Sequence, residues 1–139
     1  MLNRAIEFAT LAHKGQRDKK GRPMILHAIS VMQGVAYETN WDTTMCVAAV
    51  LHDVVEDTAN DVETIRIYFG TWVANRVDSL SRREGETYRE YIQRVKRDKY
   101  ATVIKLADLR ENLDPRRHIP GNAARYTRYA KALDVLLGG

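Results

Sequence analysis

The sequence predicts an all-α protein, a compact bundle of about eight helices, and three observations carry that expectation. Apolar residues recur at three- and four-residue spacing along almost the whole chain. No stretch alternates apolar and polar residues as a half-buried strand would. The periodic segments are bounded by helix signals, namely Asp42, Thr87 with Glu90, Gly15, Gly70 and Pro115. With 139 residues and no linker, repeat or low-complexity segment, the chain reads as one domain over 1–139.

The first helix runs from about Leu2 to His13, with Ile6, Ala9 and His13 on one side, and ends at Gly15. The polar segment GQRDKKGRP cannot continue it. A second helix follows Pro23 and carries Ile25, Ile29, Met32 and Val35. A third starts at the N-cap Asp42 and sets Thr44, Val47, Ala48, Leu51, His52 and Val55 on one stripe. Asn60 and Glu63 form the pattern of a capping box for a helix reaching Phe69. Another surrounds Val73, Val77 and Leu80, and a second capping box, Thr87 with Glu90, opens the next. A helix from Lys99 to Leu113 stops before Pro115, and the last spans about Asn122 to Leu137.

Composition narrows the function classes. Hydrophobic residues make up 45% and charged residues 29%, as in globular proteins in general. No run approaches a membrane span and no signal segment follows Met1, so a cytoplasmic protein without membrane contact is expected. The single cysteine, Cys46, lies in an apolar run and reads as a buried small hydrophobe. The net charge of +4 suits a polyanionic partner. Lys14, Arg17, Lys19, Lys20 and Arg22 crowd one segment, whereas Arg125 and Arg128 read as a solvated helix face. No aromatic-interleaved basic stripe points to nucleic acid. Nothing in the residues bears on oligomeric state.

The segment LHDVVEDT departs from the amphipathic rule. His52 falls on the apolar stripe, and four ionisable side chains occupy 52–57. In a continuous helix His52 stacks on Glu56 and Asp53 on Asp57, so uncompensated acids would repel one another and resist burial. A divalent cation on His52 and Asp53 resolves the conflict. His27, in the apolar ILHAIS, and Asp108, after the apolar run of VIKLAD, complete a two-histidine, two-carboxylate set. Such ligands suit manganese, iron, zinc or another first-row ion.

In order and context His27, His52-Asp53 and Asp108 resemble the H…HD…D pattern of the HD phosphohydrolases. AHKGQ at 12–16, GRPMILH at 21–27, LHDVVEDT and KLAD at 105–108 are similar to the hydrolase domain of RelA/SpoT proteins and to small alarmone hydrolases. The resemblance covers about residues 4 to 114. It implies an HD-type helical fold and removal of the 3′-pyrophosphate from ppGpp and pppGpp with one manganese ion. It implies His27, His52, Asp53 and Asp108 as ligands, and Glu56 and Asp57 as the acids that position or activate water. Lys105, Asn112, Arg17 and Lys19 fall where that family holds its nucleotide. With only His13 and His118 left over, a mononuclear site is expected, His13 being structural.

Asp18-Lys19 stands where the family has Arg-Lys, Met24 where it has Tyr, and Ala28 where it has Pro. These departures predict looser guanine selectivity, with Arg17 partly replacing the missing arginine. Two other readings keep the same chain. One is an HD phosphatase for another nucleotide or a 3′- or 2′-phosphorylated dinucleotide cofactor. The other is a non-catalytic nucleotide or nucleic-acid binder, which would not need acids facing a phosphate.

Overall fold

A computed structural model describes residues 1–18 and 20–138. Among them the chain is helical throughout, as α1 (Leu2–Ala12), α2 (Met24–Glu38), α3 (Thr43–Val50), α4 (Val54–Asp57), α5 (Val62–Phe69), α6 (Thr71–Ser79), α7 (Tyr88–Lys96), α8 (Lys99–Leu113) and α9 (Ala123–Leu136). A 3-10 turn at Pro115–Arg117 joins the last two. No described helix is long and apolar enough to cross a membrane.

α3 sits at the centre because, beyond Thr43 and Thr44 at its start, it is apolar throughout: Met45 through Val50 are all buried. It packs against α1, α2, α6 and α8, while α8 also meets α7 and α9. Burying such aliphatic side chains contributes roughly 1.5–3 kcal/mol each, which fixes the layer order. Asp42 caps α3 through Met45 N at 3.0 Å, and the Thr87–Glu90 box caps α7 in both directions, both as expected. Cys46 is buried.

Two local expectations are corrected. The cap of α5 is Asp61, whose Oδ1 accepts from Thr64 N at 2.8 Å. Asn60 instead donates its own N–H and its amide to Thr58 Oγ1. Both residue types cap helices well, and the one whose carboxylate reaches Thr64 wins. The third helix is also not continuous through Val55. It breaks after Val50, and the chain turns tightly through 51–53, with His52 N bonding Ala49 O at 3.2 Å and Val54 N bonding Leu51 O at 3.0 Å. The His52 ring reinforces this turn by donating Nδ1–H to the same Ala49 carbonyl at 2.7 Å. The break aims His52 and Asp53 together toward α2 and α8.

The segment after α6 is pinned by ion pairing. Glu86 accepts from Arg94 Nε at 2.9 Å and Nη2 at 3.1 Å, and from Arg83 N at 2.9 Å. Those bonds hold its carboxyl down at about 2. A depressed carboxylate pKa stabilises the fold fully above the unfolded value and ever less as pH falls toward the folded one. Glu86→Gln is therefore expected to lower the urea midpoint at about pH 6 and to lie closer to the wild type at about pH 3. An equal gap at both pH values would contradict the pairing.

Candidate metal centre and its cleft

His27 comes from the first turns of α2, His52 and Asp53 from the break after α3, and Asp108 from the middle of α8. One ligand atom from each of the four lies within 4.8 Å of all the others. His27 Nε2 is 2.8 Å from Asp108 Oδ1 and 3.8 Å from Asp53 Oδ2. His52 Nε2 is 3.0 Å from Asp53 Oδ2 and 3.5 Å from Asp108 Oδ1. His13, by contrast, is buried against Gln16 and lies outside this group.

The donor set fits a divalent cation. Ala49 O only accepts, so His52 Nδ1 carries the hydrogen and Nε2 presents its lone pair inward. That buried Nε2 makes no well-formed hydrogen bond to the carboxylate oxygens 3.0 and 3.5 Å away, which is costly unless a cation meets it. A ring nitrogen fixed by a carbonyl behind it is the usual back-up of a metal-binding histidine. The electrostatics of the protein alone agree. Burial opposes a charge on His52, but Asp53 and Asp108 outweigh it and hold its pKa well above the ordinary range. Without a cation, a proton balances the carboxylates, and a metal would displace it.

Asp108 is the hub. Lys105 Nζ donates to its Oδ2 at 2.7 Å and Asn112 Nδ2 to its Oδ1 at 3.2 Å, from one turn before and one turn after on α8. Burial raises its pKa, yet Lys105 and the histidine contacts drive it well below the usual range. Lys105 and Asn112, expected to bind substrate, thus both orient Asp108 while still lining the cleft.

Glu56 and Asp57 follow at the end of the single turn α4 and face the same cleft. Glu56 Oε2 accepts from Arg82 N at 3.2 Å. Burial, only partly offset by that bond, pushes the Glu56 carboxyl up. Burial and then the charges of Asp53 and Glu56 push Asp57 up to about 6. Both acids, though reached by solvent, therefore hold protons more readily than isolated surface carboxylates do.

The cleft above the centre is about 370 Å³ and changes sign from floor to rim. The carboxylates lie at its floor. Arg17, Arg82, Arg117, Arg125 and Arg128 line its walls, with Tyr88 and Tyr126 between them. Arg128 stacks 4.6 Å over Tyr88, and the Tyr88 hydroxyl is buried without a partner. This corrects the reading of Arg125 and Arg128 as a merely solvated face. Their three-residue spacing, shared with Tyr126 and Tyr129, was the available signal, but only α7 shows which way that face turns. In the loop before α2, Arg17 lines the cleft and donates to Gly21 O at 2.7 Å. Asp18, also at the cleft, closes on Arg22 Nε at 2.9 Å and on the amides of Lys20 and Arg22. Lys19 lies outside the described residues.

Residues 5–114 match the HD domain family, to which the chain belongs. Within it the chain is similar to RelA/SpoT proteins. It is 36% identical over 129 residues to a probable GTP pyrophosphokinase of Mycobacterium leprae, covering 86% of this chain and 16% of that protein. It is 33% identical over 120 residues to the guanosine-3′,5′-bis(diphosphate) 3′-pyrophosphohydrolase of Aquifex aeolicus, covering 81% of this chain and 17% of that protein. The chain thus spans less than a fifth of these relatives' length. A solved metazoan orthologue of SpoT, described as hydrolysing ppGpp, superposes with a TM-score of 0.80 at 27% identity, covering 99% of this chain and 85% of that one.

Among the described residues Lys105 is the fixed cation buried beside these acids. Replacing it in the metal-free protein leaves Asp108 without its partner, and removing one half of a buried pair costs about 3 kcal/mol or more. Lys105→Met should lower the unfolding free energy by that order in urea melts. An unchanged midpoint would show that Lys105 carries no part of the charge balance.

Proposed function

We propose that the protein is a metal-dependent phosphohydrolase that removes the 3′-pyrophosphate from guanosine alarmones, ppGpp and pppGpp. His27, His52, Asp53 and Asp108 hold one divalent ion, manganese in this reading. The observation that carries the proposal is the vertical order of the cleft: four converging ligand atoms, two acids beside them, and a cationic wall above. The names of the Aquifex relative and the metazoan orthologue support the substrate.

Hydrolysis of a pyrophosphate ester needs a polarised phosphorus centre, a deprotonated water and compensation for the leaving anion. The bound metal would supply Lewis acidity and make water more acidic. Glu56, raised by burial and tethered through Arg82 N, accepts the proton of the attacking water, and Asp57 beside it orients that water. Lys105 and Asn112 keep Asp108 turned toward the ion. Arg128, Arg125 and Arg82 face the charge that develops on the departing pyrophosphate. Arginine is suited to this place because its fork grips phosphate oxygens in pairs.

A second reading, another phosphorylated nucleotide as substrate, is favoured by one feature. Asp18 is spent on locking the loop through Arg22, so this lip offers Arg17 and Met24 to a base, with no stacked arginine at 18. In this reading guanine selectivity is loose.

The test is turnover with Mn2+ against ppGpp, its adenine counterpart and 3′-phosphorylated dinucleotides, in wild type, Glu56→Gln and Asp57→Asn. Pyrophosphate release from ppGpp is expected, falling roughly a hundredfold or more in each variant. Release only from the other nucleotides would select the second reading. Full turnover in both variants would remove these acids from the chemistry.

A further inference from the structure

The acids named above ride on α4, which is one turn of helix. A single turn fixes several dihedrals for very few hydrogen bonds and does not persist by itself. Its own bonds are Asp57 N to Asp53 O at 2.9 Å and Thr58 N to Val54 O at 3.1 Å. Glu56 is tied through its side chain to Arg82 N, but the carbonyl at the end of the turn needs a donor from elsewhere. That donor is Gln16, whose Nε2 reaches Asp57 O at 2.8 Å across 41 positions of sequence.

Gln16 is itself held on every polar atom. Its N–H donates to His13 O at 3.0 Å, and its carbonyl accepts from Met24 N at 3.0 Å. Its amide orientation follows from chemistry: Asp57 O only accepts, so Nε2 must face it and Oε1 must face His13 Nδ1, 2.8 Å away. His13 is buried at the end of α1. Met24 opens α2, three positions before His27. One residue thus ties three elements together: its side chain joins the end of α1 to the end of the turn that bears Glu56 and Asp57, and its backbone carbonyl holds the start of the helix that bears His27.

We propose that Gln16, oriented by His13, is a positioning residue for the hydrolysis: it sets the height of Glu56 and Asp57 over the metal centre without touching metal or substrate. The proposal rests on the reading of those two acids as the water-activating pair. Misplacing such a pair by about an ångström costs up to about a hundredfold in rate, while substrate and metal still bind through groups that the Gln16 side chain does not hold.

The decisive comparison is Gln16→Met, which keeps the length of the side chain and removes both hydrogen bonds. In the Mn2+-loaded protein kcat is expected to fall about ten- to a hundredfold, with KM and Mn2+ affinity within about twofold of wild type. Amide exchange over 54–58 should quicken in the same variant. His13→Asn, whose amide can donate to Gln16 Oε1 from the place of the ring Nδ1, should recover most of the kcat that His13→Leu loses. Unchanged exchange over 54–58 in Gln16→Met would overturn the proposal. So would a kcat loss matched by an equal loss of Mn2+ affinity, since that describes a general loosening of the centre. A wild-type protein with no turnover on any nucleotide would sink the reading of the site, and the exchange comparison alone would then decide whether Gln16 holds the turn.

Discussion

Two carboxylates cannot sit side by side among buried aliphatic residues unless positive charge joins them, and the arrangement of this molecule follows from that requirement. Asp53 and Asp108 meet where α2, α8 and the break after α3 converge, beside a core of Val47, Val50, Leu51 and Val54. Lys105 supplies one compensating charge at 2.7 Å. The remainder falls on His52, which takes a proton, or on a cation that meets His27 and His52 together. The tight turn at 51–53, the Ala49 carbonyl behind His52 and Asn112 on Asp108 all serve to hold that group of charges in one geometry.

The same balance explains the cleft. A cleft lined by four acids repels a phosphorylated ligand unless cations surround it, and the walls bring arginines from the loop before α2, the segment after α6 and α9. Tyrosines space these arginines and receive them on their faces, as Arg128 over Tyr88 at 4.6 Å. Such stacking keeps guanidinium groups in place without neutralising them, so their charge stays available to a ligand. The acids meanwhile lie on a one-turn helix whose carbonyl end is tied to Gln16, a connection between the first two helices and the chemistry.

Much of this was legible in the residues, and the exceptions share a cause. An ionisable cluster on an apolar stripe marked His52 and Asp53, because only compensation makes such burial tolerable. The helices and most of their ends followed from periodicity and capping chemistry. Asn60 and Asp61 could not be ranked, since both cap well and the choice depends on which side chain reaches Thr64. The break after Val50 depends on a ring-to-carbonyl bond that has no periodic signature. Arg125 and Arg128 on an amphipathic helix look solvated until α7 sets Tyr88 beneath one of them. Lys105 and Asn112 stand one turn either side of Asp108, and spacing alone does not say whether they serve the ligand or the substrate.

The central claim is that the four converging side chains exist to hold one metal ion. Anomalous diffraction from crystals grown with Mn2+ tests it most directly. A single peak at full occupancy is expected, bonded to His27 Nε2, His52 Nε2, Asp53 and Asp108, and lost in Asp108→Asn. A saturating peak elsewhere, or none at this cluster, would contradict it.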